Sequence, residues 1–357
     1  MSKFEQFGTL NLSRRRLLQS AAGGVAALAL TGLPGQAAAA GSIVVSNWGG
    51  DWNDRTIRYV EKPLLEDKGF SIVRDLGMEP ERKAKLIAEK RIRRSSVDVI
   101  HINSSDAFEL KQQDAVIDLD VSKIPNYANV VPELKTGYFL PWLYSGVVII
   151  YNKDKIKEPP KSYAELWDPK WAGRIGLTNQ LYFNYMMMAG LIKTGKMTEV
   201  AAGQDALIEF SQKAKPRIYA AHQQLAAGLA NGEVDIAINY KARGLQWAKD
   251  GLPLAIQYPE EGAIAVTFGA CIPNNSPNPQ GAYAYADAML DPTAMAGLAE
   301  ASFYAPANSK ATLSAELREL IDFSETEKAK LRFLDFSYVA DNTAEWLEWW
   351  NKNVTRT

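Results

Sequence analysis

From Ser42 onward, short β-rich runs alternate with longer helical ones, and this alternation limits the fold more than any other feature of the chain. Residues 43–47, 70–75 and 97–102 read as strands, and 54–67, 79–93 and 106–113 read as helices. Strands separated by helices of ten or more residues cannot close as hairpins. They predict a parallel sheet with crossover helices, a doubly wound α/β lobe.

The stretch 137–152 departs from this pattern. Tyr138, Phe139, Trp142, Tyr144, Val147, Val148, Ile149, Ile150 and Tyr151 crowd it with aromatic and β-branched residues, which suits one long strand passing from the first lobe into a second. After the turn-rich Pro159-Pro160 and residues 168–173, a second α/β unit follows. Its strands are predicted at 174–177 and 235–239, with helices at 184–194, 199–213, 225–231 and 244–250. Residues 263–272 return as another strand, and helices at 279–289, 293–302, 314–321 and 326–353 complete the chain without a further strand. Two crossings make a hinge. The expected architecture is therefore α/β and two-lobed with a hinge of crossover strands, lobe 1 at 41–146 plus 265–310 and lobe 2, with the C-terminal helices, at 147–264 plus 311–357. A cleft between lobes at the carboxyl ends of such sheets is where small ligands bind.

Residues 1–40 read as a cleavable export signal. Ser13-Arg14-Arg15-Arg16-Leu17-Leu18 precedes a mild apolar run at 21–33, interrupted by Gly23, Gly24 and Gly32, and Ala37–Ala40 offers a small-residue cleavage end. The paired arginines are of the twin-arginine type, so a periplasmic location is expected, with no membrane insertion of the mature chain. A formal net charge of -1 with 23% charged residues argues against a nucleic-acid partner. Cys271 is the single cysteine, so no internal disulfide forms. His101 and His222 are the only histidines, without the carboxylate or cysteine spacing of a metal site, and no glycine-rich phosphate loop follows a strand. No catalytic, cofactor or metal constellation is present in the sequence, and the chain reads as a monomeric binder, not an enzyme.

Several runs resemble the bacterial periplasmic solute-binding proteins grouped with the spermidine/putrescine-binding proteins of ABC importers. They are Ser46-Asn47-Trp48-Gly49-Gly50, Val97-Asp98-Val99-Ile100, Pro141 to Tyr151, the run from Ser162 to Gly173, Gly232 to Ala237, Tyr258-Pro259-Glu260-Glu261-Gly262, and Tyr304-Ala305-Pro306. The resemblance implies a receptor that hands a small-molecule ligand to an inner-membrane permease driven by a separate ATPase. Where polyamine binders carry acids or a Trp, this chain aligns Asn179 or Gln180, Val266 and Phe268. Ferric-iron receptors of related fold carry adjacent tyrosines, and no Tyr-Tyr pair occurs here.

Candidate ligand residues follow from their places at strand ends. Trp48 with Gly49 and Gly50 follows the first strand, and Asn103, Ser104 and Ser105 follow the third; each group offers a ring, free amides or short polar groups at a cleft corner. Trp142 and Tyr144 lie on the crossing strand. Tyr240, Lys241 and Arg243 follow a second-lobe strand, where the cations suit a carboxylate, sulfonate or phosphonate. Asn179 and Phe268 enter through the alignment, and Tyr304 precedes a loop that in the resembled family returns to the cleft. The expected ligand is an anionic or zwitterionic nitrogen-containing solute, amino-acid-derived or opine-like, with a polyamine second and ferric iron third.

Overall fold

The computed structural model describes residues 41–355, so the expected export signal lies outside the described residues. Strand β1 (Ser42–Asn47) leads through Gly50, at φ +62°, into α1 (Asp51–Thr56), which continues through a π-helical stretch at Ile57–Glu61 into α2 (Lys62–Leu64). Then come β2 (Ser71–Leu76), α3 (Glu79–Glu89), β3 (Val99–Asn103) and α4 (Ser104–Gln112). The 13-residue β4 (Leu140–Asn152) is the long crossing strand. Beyond it lie β5 (Ile175–Thr178), α5 (Tyr182–Thr194), α6 (Val200–Ala214), β6 (Arg217–Tyr219), α7 (His222–Ala230), β7 (Ile236–Tyr240), α8 (Lys241–Lys249) and β8 (Leu254–Gln257). The returning strand β9 (Ile264–Cys271) precedes α9 (Pro279–Met289), α10 (Pro292–Ser302) and β10 (Ala305–Pro306). Helices α11 (Ala315–Ile321), α12 (Glu325–Lys328) and α13 (Phe336–Asn353) end the described chain.

One continuous sheet, in the order β2-β1-β3-β9-β4-β7-β5-β6, runs through both lobes. Its parallel parts, β2-β1-β3 and β7-β5-β6, are joined by β9 and β4, which pair antiparallel from Leu140↔Ala270 to Val147↔Ile264. Val148 to Tyr151 of β4 then pair with β7. Each lobe keeps its own interior. Ile43, Val45, Val99, Trp142 and Tyr285 belong to one cluster, and Ile149, Ile175, Leu177, Met186 and Trp350 belong to another.

The chain after residue 310 differs from the expected pattern. Residues 326–353 are not one helix, because after a turn at 329–330 residues 331–335 run beside the start of β9: the Arg332 amide donates to the Ala263 carbonyl, and the Ala265 amide donates to the Arg332 carbonyl. Asp335 then caps α13 by accepting from the Tyr338 amide. Short strands β6, β8 and β10 also escaped the periodicity, being two to four residues long and paired only by long-range contacts. Helix α8 begins at Lys241, three residues earlier than the expected 244, so Lys241 and Arg243 stand in its first turn. Cations there oppose the helix dipole.

Candidate ligand-binding cleft

The carboxyl ends of β1, β3, β5 and β7 deliver the cleft corners: Trp48, Asn103, Asn179 and Tyr240 with α8. Phe268, on β9, sits where both lobes meet, with its ring centroid 5.9 Å from Trp48, 5.4 Å from Trp52, 5.5 Å from Tyr304 and 5.8 Å from Tyr240. Trp52 lies 5.0 Å from Trp48, 5.7 Å from Trp142 and 6.0 Å from Tyr304. Most of these contacts are edge-to-face, the arrangement favoured by the ring quadrupoles. Trp142 is the extra residue of a bulge between Pro141 and Leu143, and its ring lies 5.3 Å from His101. Thus Trp48, Trp142, Tyr240, Phe268 and Tyr304 come together, joined by Trp52.

Tyr304 owes its place to Phe303, which closes α10 with a left-handed φ of 59°, a conformation costly for a bulky residue. Opposite it, Arg243 donates from Nη1 to Gln246 Oε1 at 3.0 Å, and Gln246 Nε2 donates to the Ser302 carbonyl. Gln246 therefore ties the arginine of lobe 2 to the end of α10 in lobe 1. Burial raises the Tyr304 hydroxyl, and the charges of Arg243 and then Arg55 pull it part of the way back. Arg243 Nε is buried without a hydrogen-bond partner, and no carboxylate pairs with this guanidinium among the described residues. His222 shares the corner: it lies 5.5 Å from the Tyr240 ring, its Nδ1 is 3.0 Å from Asn239 Nδ2, and its amide is held by Gln180 Oε1 at 2.9 Å. Burial first, and the charge of Arg243 second, push the His222 imidazole down to about 3.

The lobe 1 corner is organised by Glu79, which the sequence reading did not single out. Its Oε1 accepts from the Asn103 amide at 2.9 Å and from Asn103 Nδ2 at 2.6 Å, while Oε2 accepts from Trp48 Nε1 at 3.1 Å. Burial, and next the neighbouring Asp106 carboxylate, push the Glu79 carboxyl up to about 8. Its charge also bears on Tyr240, so this acid and the lobe 2 corner share one electrostatic environment. In sequence Glu79 reads as an ordinary first residue of a helix, while Trp52 and His222 fall just ahead of the expected helices 54–67 and 225–231, and no spacing marks any of the three.

Other predicted residues are placed differently. Asn103 caps α4 through its Oδ1 and the Asp106 amide, 3.0 Å apart; Ser104 is buried and Ser105 half-buried in the same turn. Gly49 and Gly50 are exposed at the start of α1. Asn179 is exposed, and its Oδ1 accepts from Trp350 Nε1 at 3.0 Å, which ties it to α13. Lys241 and Tyr144 turn together to the C-terminal segment. Lys241 Nζ donates to the Asp322 carbonyl and lies 4.7 Å from the Phe323 ring, while Tyr144 donates to Asp322 Oδ1 at 3.4 Å and stacks on Phe323. Burial lowers the Lys241 ammonium. Among the described residues no three His, Cys, Asp or Glu side chains are placed to share a metal ion, and no helix is long and apolar enough to cross a membrane.

Residues 62–325 match the model of the bacterial extracellular solute-binding protein family. The chain belongs to that family. Among curated relatives, the spermidine/putrescine-binding periplasmic protein of Salmonella typhimurium is 25% identical over 211 residues, 56% of this chain and 60% of that protein. The chain therefore spans less than two thirds of the length of that relative. A longer match reaches the putrescine-binding periplasmic protein SpuD of Pseudomonas aeruginosa, 26% identical over 80% of this chain and 84% of that protein. Among solved structures, the periplasmic binding protein MotA of A. tumefaciens in complex with glucopine superposes with a TM-score of 0.74 at 20% identity, covering 87% of this chain and 99% of that one. The two-lobed fold of this solute-binding protein is thus that of the periplasmic binding proteins.

Proposed function

We propose that this solute-binding protein is the periplasmic receptor of an ABC importer and captures a small nitrogen-containing solute that bears an anionic group. The observation that carries the reading is Arg243: a guanidinium in the first turn of a helix, beside Tyr304 and His222, with a buried Nε that has no partner. A half-buried guanidinium with no counter-ion and a buried, unpartnered Nε is incompletely satisfied, and a ligand carboxylate or similar anion supplies the missing partner in the bound state. Asn179, Val266 and Phe268 stand where polyamine binders carry acids or a Trp, and this absence supports a zwitterionic or opine-like solute. Similarity to the spermidine/putrescine-binding and putrescine-binding proteins supports a polyamine as the alternative ligand. In this reading the lobes divide near residues 146 and 264, the twin-arginine-type segment directs export, and a monomer closed on its ligand is recognised by a permease with its ATPase. The protein binds and releases without covalent chemistry.

A thermal-shift screen of residues 41–357 against organic acids, amino-acid conjugates, phosphonates and polyamines tests this, since a ligand that binds only the folded state raises the melting temperature. An anionic compound is expected to stabilise the protein, and Arg243→Ala is expected to weaken its binding by roughly 2–5 kcal/mol. Stabilisation by putrescine or spermidine alone, unaffected by Arg243→Ala, overturns the reading.

A further inference from the structure

Besides Arg243 in lobe 2, the lobe 1 side of the cleft holds unpartnered donors of its own. Trp52 Nε1, Trp142 Nε1 and Arg82 Nη2 are buried and meet no hydrogen-bond acceptor among the described residues. Trp142 is 1% exposed, so its indole N–H has no recourse to solvent. An indole N–H is a donor only, and buried donors in folded proteins are nearly always matched. Trp52 and Trp142 lie edge to face, 5.7 Å apart, and neither indole N–H has an oxygen or nitrogen acceptor among the described residues.

The neighbouring acceptors do not supply a partner. Both oxygens of Glu79 are occupied by Asn103 and Trp48. His101 donates from Nε2 to the Tyr285 hydroxyl, which itself donates to Glu61 Oε1 at 3.0 Å; this leaves His101 Nδ1 as a bare acceptor beside the Trp142 ring, yet unbonded to it. Asn53 Oδ1, on the residue after Trp52 in α1, is likewise a buried acceptor without a partner and is not bonded to the Trp52 indole. The Trp52 ring touches Trp48, Trp142, Phe268 and Tyr304, the last being the tyrosine beside Arg243.

We propose that Trp52 and Trp142 read the ligand through their indole N–H groups, so that the solute carries two oxygen-rich acceptor groups, one met by these indoles in lobe 1 and one by Arg243 in lobe 2. This rests on the reading of Arg243 above and narrows the solute to a diacid or a comparable molecule with an acceptor at each end. A polyamine has no acceptor for an indole N–H, so the same pair of donors selects against it.

The test pairs dicarboxylates with monocarboxylates of the same chain length, glutarate with pentanoate for example, titrated by calorimetry into the mature protein. Two kinds of variant are used at each position: Trp→Phe, and replacement of the tryptophan by benzothienylalanine, which keeps the ring shape and exchanges N–H for sulfur. Wild-type protein is expected to prefer the diacid. Each donor-deleting variant is expected to weaken diacid binding about tenfold relative to the monoacid; the benzothienylalanine variants, which keep the ring volume, are expected to leave the melting temperature of the ligand-free protein equal or higher, whereas Trp142→Phe leaves a core cavity and lowers it. Equal binding of both acids with no effect of the variants overturns this inference alone. So does a lower ligand-free melting temperature of the benzothienylalanine variants with both acids weakened equally, since that marks a structural N–H contact to a ring or to His101. If no carboxylate of the panel binds wild-type protein, the Arg243 reading falls first and takes this one with it.

Discussion

At the scale of single residues, the two sides of the cleft treat their ionisable groups differently. Arg243 has Gln246 and Tyr304 as neighbours but no acid, whereas Glu79 has three donors and an acid, Asp106, close by. The raised Glu79 carboxyl makes a pH prediction. Its folded value near 8 exceeds the ordinary 4.5, so the folded state holds an extra proton between these values. The stability this confers is complete below pH 4.5 and is lost as pH rises toward 8. Glu79→Gln should flatten the fall in urea-unfolding free energy across that window, by at most about 1.4 kcal/mol per pH unit. Glu61, also raised by burial, has the same sign and remains in both proteins, so the difference between them isolates Glu79. Parallel curves for wild type and variant would show that Glu79 ionises normally. Of the residues that meet at the cleft, Trp48, Trp142, Tyr240, Arg243, Phe268 and Tyr304 were legible because strand ends and a family resemblance point to them. Glu79 and Trp52 were not, because nothing local distinguishes a first-turn Glu or Trp that caps or packs from one that faces a ligand.

Among the elements, the extended segment between α12 and α13 carries more of the architecture than its composition announced. It lies against the Pro259-Glu260-Glu261-Gly262 turn, and the Lys330 carbonyl would stand 1.9 Å from a Cβ placed on Gly262, whose φ is +94°. Glu261 meanwhile accepts from the Tyr163 and Ala164 amides at 3.0 and 3.1 Å, so this turn clamps the start of the Ala164–Trp167 helical turn to the strap. Gly262→Ala combines a left-handed backbone with a backbone clash, and should destabilise the protein by more than about 1 kcal/mol. Chemical denaturation measures this; an unchanged midpoint would mean that the strap moves aside at no cost. The Pro-Glu-Glu-Gly run thus serves this packing in the structure. Helix α13 continues the strap and buries Trp350 against Tyr185, with ring centroids 5.5 Å apart. Tyr182 donates to the Thr343 carbonyl at 3.1 Å, and Phe336 at its start meets Phe108 of α4, 6.1 Å away. A C-terminal helix read in sequence as a lobe 2 accessory therefore touches an element of lobe 1 as well.

For the whole molecule, β9 and β4 join the two parallel parts of the sheet, and Phe268 on β9 touches rings from both. A ligand that bridges Arg243 and the lobe 1 corner gains contacts only when the lobes approach, so binding is expected to shift the population toward a more compact form. Small-angle scattering should show a smaller radius of gyration with a stabilising ligand than without it; an unchanged radius would argue for a rigid preformed site. The sequence by itself determined the strand and helix alternation, the two-lobed class, the long crossing strand and its returning partner. These are set by hydrophobic period, by strand and helix length, and by the connection rules of parallel sheets, all of which act along short stretches of chain. Only the tertiary structure decided which way the side chains at the cleft face. It sent Arg243 toward Tyr304 but its neighbour Lys241 toward Asp322 and Phe323, and it used a one-residue bulge to carry Trp142 to His101 and Trp52 while Tyr144 turned to Phe323. The physical reason is distance along the chain. These partners lie tens to hundreds of residues apart, and a side chain's charge, donor or ring is satisfied by whatever the fold brings within a few ångströms, which no local pattern encodes.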